Sequence, residues 1–196
     1  MTADAFSDLV LTLACLGLGF LLRQRNRAIS LALLSIAIAA GFGVARFSGV
    51  FAANGPHEFF SLMATVAGVP LLAAGLIWRD GVIAQHWRAA VLLAASASAL
   101  GVLLVVMAAQ LWWQQVAPGI AVVGIIIYSW QQRDLLTWLG CLFLLAAFLV
   151  SALQWRAGLF SSEQLLHYLM VIGLSKLCIA YQRQRFSAVA LMPAHP

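Results

Sequence analysis

Arg46-Phe47-Ser48-Gly49-Val50-Phe51-Ala52-Ala53-Asn54-Gly55-Pro56-His57-Glu58 joins two long apolar runs and carries an Arg, a His and a Glu with no hydrophilic loop around them. Each flanking run is long enough to cross a hydrocarbon core about 30 Å thick. Pro56 suits the first turn of a helix, where its missing N–H costs nothing. The stretch therefore reads as a tight reversal between two membrane spans.

The rest of the chain agrees. Of 196 residues, 64% are hydrophobic and only 9% charged, and the mean hydropathy is +0.99. Soluble domains carry about 25% charged residues, so this chain lacks the polar surface to face water all round. The pI of 9.7 would suggest nucleic acid in a soluble protein. Here the basic residues fall in short connections between spans, so they report topology and no nucleic-acid partner. Cys15, Cys141 and Cys178 lie inside apolar runs without paired spacing and read as buried small side chains.

The expected fold class is all-α, a polytopic membrane protein of seven transmembrane helices at 5–22, 29–47, 56–78, 89–111, 116–128, 135–155 and 162–182. The fifth is short on this count and gains length by starting nearer Trp113. The first lacks a basic leading segment and reads as a retained helix. Arg23, Arg25, Arg27, Arg79, Arg88, Arg133, Arg183 and Arg185 share one side; only Arg46 and Arg156 fall toward the other, with Asp4, Asp8, Glu58 and Glu163. Positive connections stay inside, so the N-terminus is expected outside and the C-terminus in the cytoplasm, in a bacterial-type inner membrane. Trp78, Trp87, Trp130 and Trp138 mark the inner interface; Trp112, Trp113 and Trp155 mark the outer.

Arg23 and Arg133, Arg46 and Arg156, and His57 and His167 are each 110 positions apart (133−23, 156−46, 167−57). The alignment admits a parallel repeat within one membrane domain: 5–88, a linker helix 89–112, 113–186, and a mobile tail 187–196. Parallel repeats occur in transporters, with sites where the repeats meet.

Chemistry concentrates at the outer ends of helices three and seven. His57, Glu58, Ser61, Thr65 and Gly68 share an arc of about 100°. Ser161 and Gln164 have capping-box spacing, and behind them Glu163, Gln164, His167 and Tyr168 share one face. The expected site is a single outward-facing pocket between these helices, lined by Arg46, His57, Glu58, Ser61, Arg156, Glu163, His167 and Tyr168. Ionisable residues inside a span mark function by default. The bland alternative is headgroup-depth charges that only tie the outer loops together.

Two arginines bias the ligand toward a small anionic or lipid-like molecule. His57, His167, Glu58 and Glu163 could supply four zinc ligands, although no paired spacing on one helix supports this. The two histidines could also be axial ligands of haem b. Ser61 lies one turn from His57, the spacing of a nucleophile and its base and a common accident. The three-plus-one-plus-three outline resembles the sugar-transporting SWEET proteins, without their Pro-Gln loop motif. The helix count resembles the alkaline ceramidase and adiponectin-receptor-like hydrolases, without their third histidine. Neither carries residues over. The reading is a ligand-binding membrane protein acting as transporter, receptor or accessory subunit, not an enzyme. Its partners would be membrane lipids and a further copy or a membrane complex. The alternative is a metal-dependent membrane lipid hydrolase.

Overall fold

The computed structural model describes residues 1–190, with side chains through residue 184. Among the described residues there are helices joined by short turns and connections, no strand, and one isolated bridge between Ala157 and Phe160. Seven long helical segments follow one another among them: α1 Ala3–Leu22, α2 Arg27–Phe47, α3 Phe51–Ile77, α4 Trp87–Met107, α5 Trp113–Gln132, α6 Leu135–Ala152 and α7 Ser162–Ala190. Six of them, all but α5, are long and apolar enough to cross a membrane. Gln114, Gln115, Gln131 and Gln132 shorten the apolar centre of α5 from both ends.

Local chemistry sets the boundaries. The side chains of Thr2, Asn26 and Asp134 accept the orphan N–H groups of Ala5, Ile29 and Thr137, which starts α1, α2 and α6. Arg133 ends α5 in the left-handed region at φ 50. Most boundaries move from the sequence reading: the fourth helix ends at Met107 rather than 111, the fifth spans Trp113–Gln132 rather than 116–128, the sixth ends at Ala152 rather than 155, and the third and seventh extend further. The third helix begins at Phe51 in a 3-10 turn, ahead of Pro56. The seventh runs on to Ala190, past position 182 and into the segment expected as a mobile tail, of which 191–196 lie outside the described residues.

Within α3 the segment Ala64–Gly68 is wound as a π-helix, and Val69 N–H reaches back to Ala64 O. Pro70 follows at once. Its ring crowds the carbonyl four residues back and it has no N–H to give, so a wider turn relieves the clash. Such π turns often sit at functional sites.

Packing gives the helices a ring order. α1 packs on α2, α2 on α3, α3 on α5, α5 on α6, α6 on α7, and α7 back on α1. α4 stands outside the ring against α2 and α3, and Val91, Leu92, Leu103 and Val106 on it are exposed. Small residues let the helices approach, as they must where no hydrophobic force separates helix from lipid. A Cβ on Gly140 would lie 3.0 Å from Gly173 O, and one on Gly173 would lie 3.0 Å from Gly140 O. Gly101 of α4 sits directly on Val66. The small-residue run Ala94 to Ala99 of α4 is half-buried or exposed.

Side-chain hydrogen bonds tie each end of the bundle. At one end Thr2 Oγ1 donates to Phe47 O (3.2 Å), and Asp4 Oδ1 accepts from Ser161 Oγ (3.0 Å) and Gln164 Nε2 (2.7 Å). At the other, fully buried Asn26 donates to Gly75 O (2.8 Å) and Tyr181 Oη (3.3 Å), and Arg79 donates to Gln184 Oε1 (2.9 Å). That second end also carries Arg23, Arg25 and Arg27 and packs Arg27 over the Trp87 ring.

Candidate functional site

The ring encloses a cavity of about 660 Å³. All six ring helices line it, through Asp8 and Leu11 of α1, Ile36 and Ala39 of α2, His57 to Val69 of α3, Gln114 to Val123 of α5, Leu145 to Ala152 of α6, and Leu166 to Met170 of α7; α4 contributes nothing. Apart from Val69, past the middle of α3, these positions fall in the half of the bundle near the N-terminus. Gln114, Gln115, Ser151 and Gln154 lie toward that end, whereas Leu72, Leu76, Ile125, Leu174, Leu177 and Tyr181 fill the other half and are buried. The space is thus a one-ended well with an apolar wall.

Asp8 is the polar group that the sequence reading missed. It is 1% exposed, and among the described residues neither of its carboxylate oxygens has a hydrogen-bond partner. Gly43 makes room for it: a Cβ there would lie 2.5 Å from Asp8 Oδ2. An ionisable group buried within a span is costly and marks function by default. Asp8 looked like an ordinary interface acid because it stands only one turn from Asp4. The available signal was its place inside the apolar run that follows Ala5.

His167 faces it, with Nε2 3.6 Å from Asp8 Oδ1. The other ring nitrogen, Nδ1, is 3.0 Å from Ser7 Oγ. With the Ser7 hydroxyl hydrogen assigned to Asp4 O at 2.8 Å, His167 Nδ1 is the donor in its contact with Ser7. Across the well, His57 Nδ1 lies 3.2 Å from Ala39 O. A carbonyl only accepts, so here too Nδ1 holds the hydrogen. Both histidines therefore keep Nε2 free for the cavity.

No family model, curated protein or solved structure matches this chain.

The predicted residues divide. His57, Ser61 and His167 line the well. Helices α3 and α7 do not pack together as a hairpin pair; in the ring order they stand opposite each other, with α1 and α2 between them on one side. Arg46 and Glu58 line a second cavity, which shares His57, Ser61, Thr65 and Gln114 with the first. Arg46 also lies 5.3 Å over the Phe47 ring. Arg156 and Glu163 are exposed and line neither cavity, and Tyr168 packs edge-on against Phe160, 6.1 Å away, bracing the 153–161 connection. Ser161 and Gln164 do form the capping box, with Gln164 N–H on Ser161 Oγ (3.2 Å) and Ser161 N–H on Gln164 Oε1 (3.3 Å).

The four residues considered for zinc are not gathered. Among the described residues no group of three or more His, Cys, Asp or Glu is placed to hold a metal ion. His57 spends its Nδ1 hydrogen bond on Ala39 O rather than on Ser61, so no serine–histidine pair is formed through that nitrogen.

Proposed function

We propose that this chain is an integral membrane protein whose helix ring binds a small solute in its central well and carries it across the bilayer. The observation that carries this reading is the well itself: six ring helices line it, it reaches only one end of the bundle, and the other end is packed shut. That is the shape of a carrier held open to one side. Its volume of about 660 Å³ falls in the range of small-molecule sites.

Two further features support it. The ring order pairs α1 with α5, α2 with α6 and α3 with α7 across the centre, as a parallel repeat with α4 as linker would require. The 110-residue offset also relates Asp8 to Pro118 and His57 to His167, and all four line the well. The arginines of the 23–27 connection, with Arg79 at the same end, give the orientation by the positive-inside rule. The well then opens to the outside, with the sealed end in the cytoplasm.

The test is access. In a chain with Cys15, Cys141 and Cys178 replaced by alanine, Ser61→Cys and Leu166→Cys are expected to react with a membrane-impermeant thiol reagent added outside intact cells. Leu92→Cys, on the lipid-facing side of α4, is expected not to react. Failure of Ser61→Cys and Leu166→Cys to label in folded protein would remove the outward-facing well.

A further inference from the structure

The sequence pointed to an anionic ligand through its arginines, but the well contains no arginine. Its most deeply buried charged group is a carboxylate without a hydrogen-bond partner among the described residues. The charged or titratable groups around Asp8 are few. Asp4, on its own helix, is bonded to Ser161 and Gln164. From α2, Arg46 lies over Phe47 and lines the second cavity. From α7 come exposed Glu163 and His167; from α3, across the well, comes His57. Among the described residues only His167 lies within ion-pair distance, at 3.6 Å.

Hydrogen counting then fixes what Asp8 and His167 hold between them. Nδ1 of His167 keeps its hydrogen for Ser7. One exchangeable proton remains, either on the carboxyl as O–H facing Nε2 or on Nε2 facing a carboxylate. In both forms the pair has no net charge. Remove that proton and the pair carries one negative charge in an apolar wall built from Ile36, Val122, Leu145, Phe148 and Met170. A cation must replace it. One carboxylate without companion ligands is a poor site for a metal ion, whereas an organic cation brings its own apolar body to this wall, which includes the aromatic Phe148.

We infer that the well takes a lipophilic organic cation, and that its binding expels the single proton shared by Asp8 and His167. The step balances: the O–H or N–H bond breaks, its electron pair stays on the protein, and the proton leaves to water at the well mouth. The cation then neutralises the Asp8 carboxylate. Filling and emptying the site thereby exchange one cation for one proton. This rests on the well described under the proposed function and adds what fills it.

The probe is tetraphenylphosphonium chloride, with purified full-length protein in detergent. Titration calorimetry in two buffers of different ionisation enthalpy is expected to show one proton released per cation bound. Affinity should rise about tenfold per pH unit over the range in which the pair is protonated. Asp8→Asn should lose binding and proton release together while melting like the parent. Gly43→Ala, which presses on the carboxylate, should weaken binding about tenfold, and His167→Gln should bind with a displaced pH profile. Binding without proton release, or binding indifferent to Asp8→Asn, would overturn the exchange and leave a cavity that still labels at Ser61→Cys. A wild-type protein that labels there but ignores the probe would overturn the cation assignment. Only lost labelling reaches back to the well itself.

Discussion

Asn26 and Asp8 are both buried polar side chains where helices meet, Asn26 between α2, α3 and α7 and Asp8 between α1, α2 and α7, one at each end of the bundle, and their surroundings could hardly differ more. Asn26 caps α2 through Ile29 N–H (3.0 Å) and donates to Gly75 O and Tyr181 Oη. Tyr181 in turn donates to Arg25 O at 3.4 Å. The Asp8 carboxylate has a histidine at 3.6 Å and, among the described residues, no hydrogen-bond partner. A satisfied buried group holds helices together; an unsatisfied one costs stability and persists where it does something else. The Asn26 end is closely packed, and the Asp8 end holds the cavity.

Substitution should separate the two most sharply at these residues themselves. Asn26→Ala loses a helix cap, about 1 kcal/mol, and interhelical hydrogen bonds of about 0.6 kcal/mol each. A fall of about 5 °C in melting temperature is expected in detergent. Asp8→Asn gives up no hydrogen bond and should melt at or above the parent temperature, since it removes a buried ionisable group. If Asp8→Asn fell as far as Asn26→Ala, the contrast would collapse.

The glycines beside each group provide a finer test. A Cβ on Gly75 would meet Ile29 Cγ1 at 2.8 Å and Asn26 Oδ1 at 3.1 Å, inside close-packed helix. Gly75→Ala should cost about 1–3 kcal/mol, read from denaturant or thermal unfolding. Gly43→Ala presses only on Asp8, which can swing toward the well, so it should cost less than Gly75→Ala. The reverse order would place the rigid packing at the wrong end. Accessibility sharpens the same divide: Ile125→Cys, in the sealed half, should stay at background with the reagent that labels Ser61→Cys. The smallest effect is expected at Arg156→Ala. That side chain is exposed and lines neither cavity, so both melting and probe binding should stay within about 0.5 kcal/mol of the parent.

Much of this architecture was legible in the chain because apolar length and the placement of arginines obey simple rules. The all-helical class and the apolar spans follow from them, and α5 showed its weakness through its flanking glutamines. The site was half legible. His57, Ser61 and His167 stood out as polar groups at helical spacing and do face the well. Glu163 and Tyr168 were grouped with them because a wide polar arc on one helix does not say which part of it turns inward, and Arg156 because it falls on the outer side with Arg46. Asp8 stayed hidden for the opposite reason. Its burial comes from α2 and α7 closing over α1, a tertiary event that no local pattern records.

The position of α4 outside the ring has a consequence for how the molecule could be assembled. The seam between α3 and α5 closes by their own contact, so the linker helix supplies a tether and no wall of the well. Loop closure grows only slowly dearer with length. Two separate polypeptides, one ending after Arg79 and the other beginning at Trp113, therefore carry every helix of the ring. Co-expressed in one membrane, they should find each other and rebuild the well without the crossover.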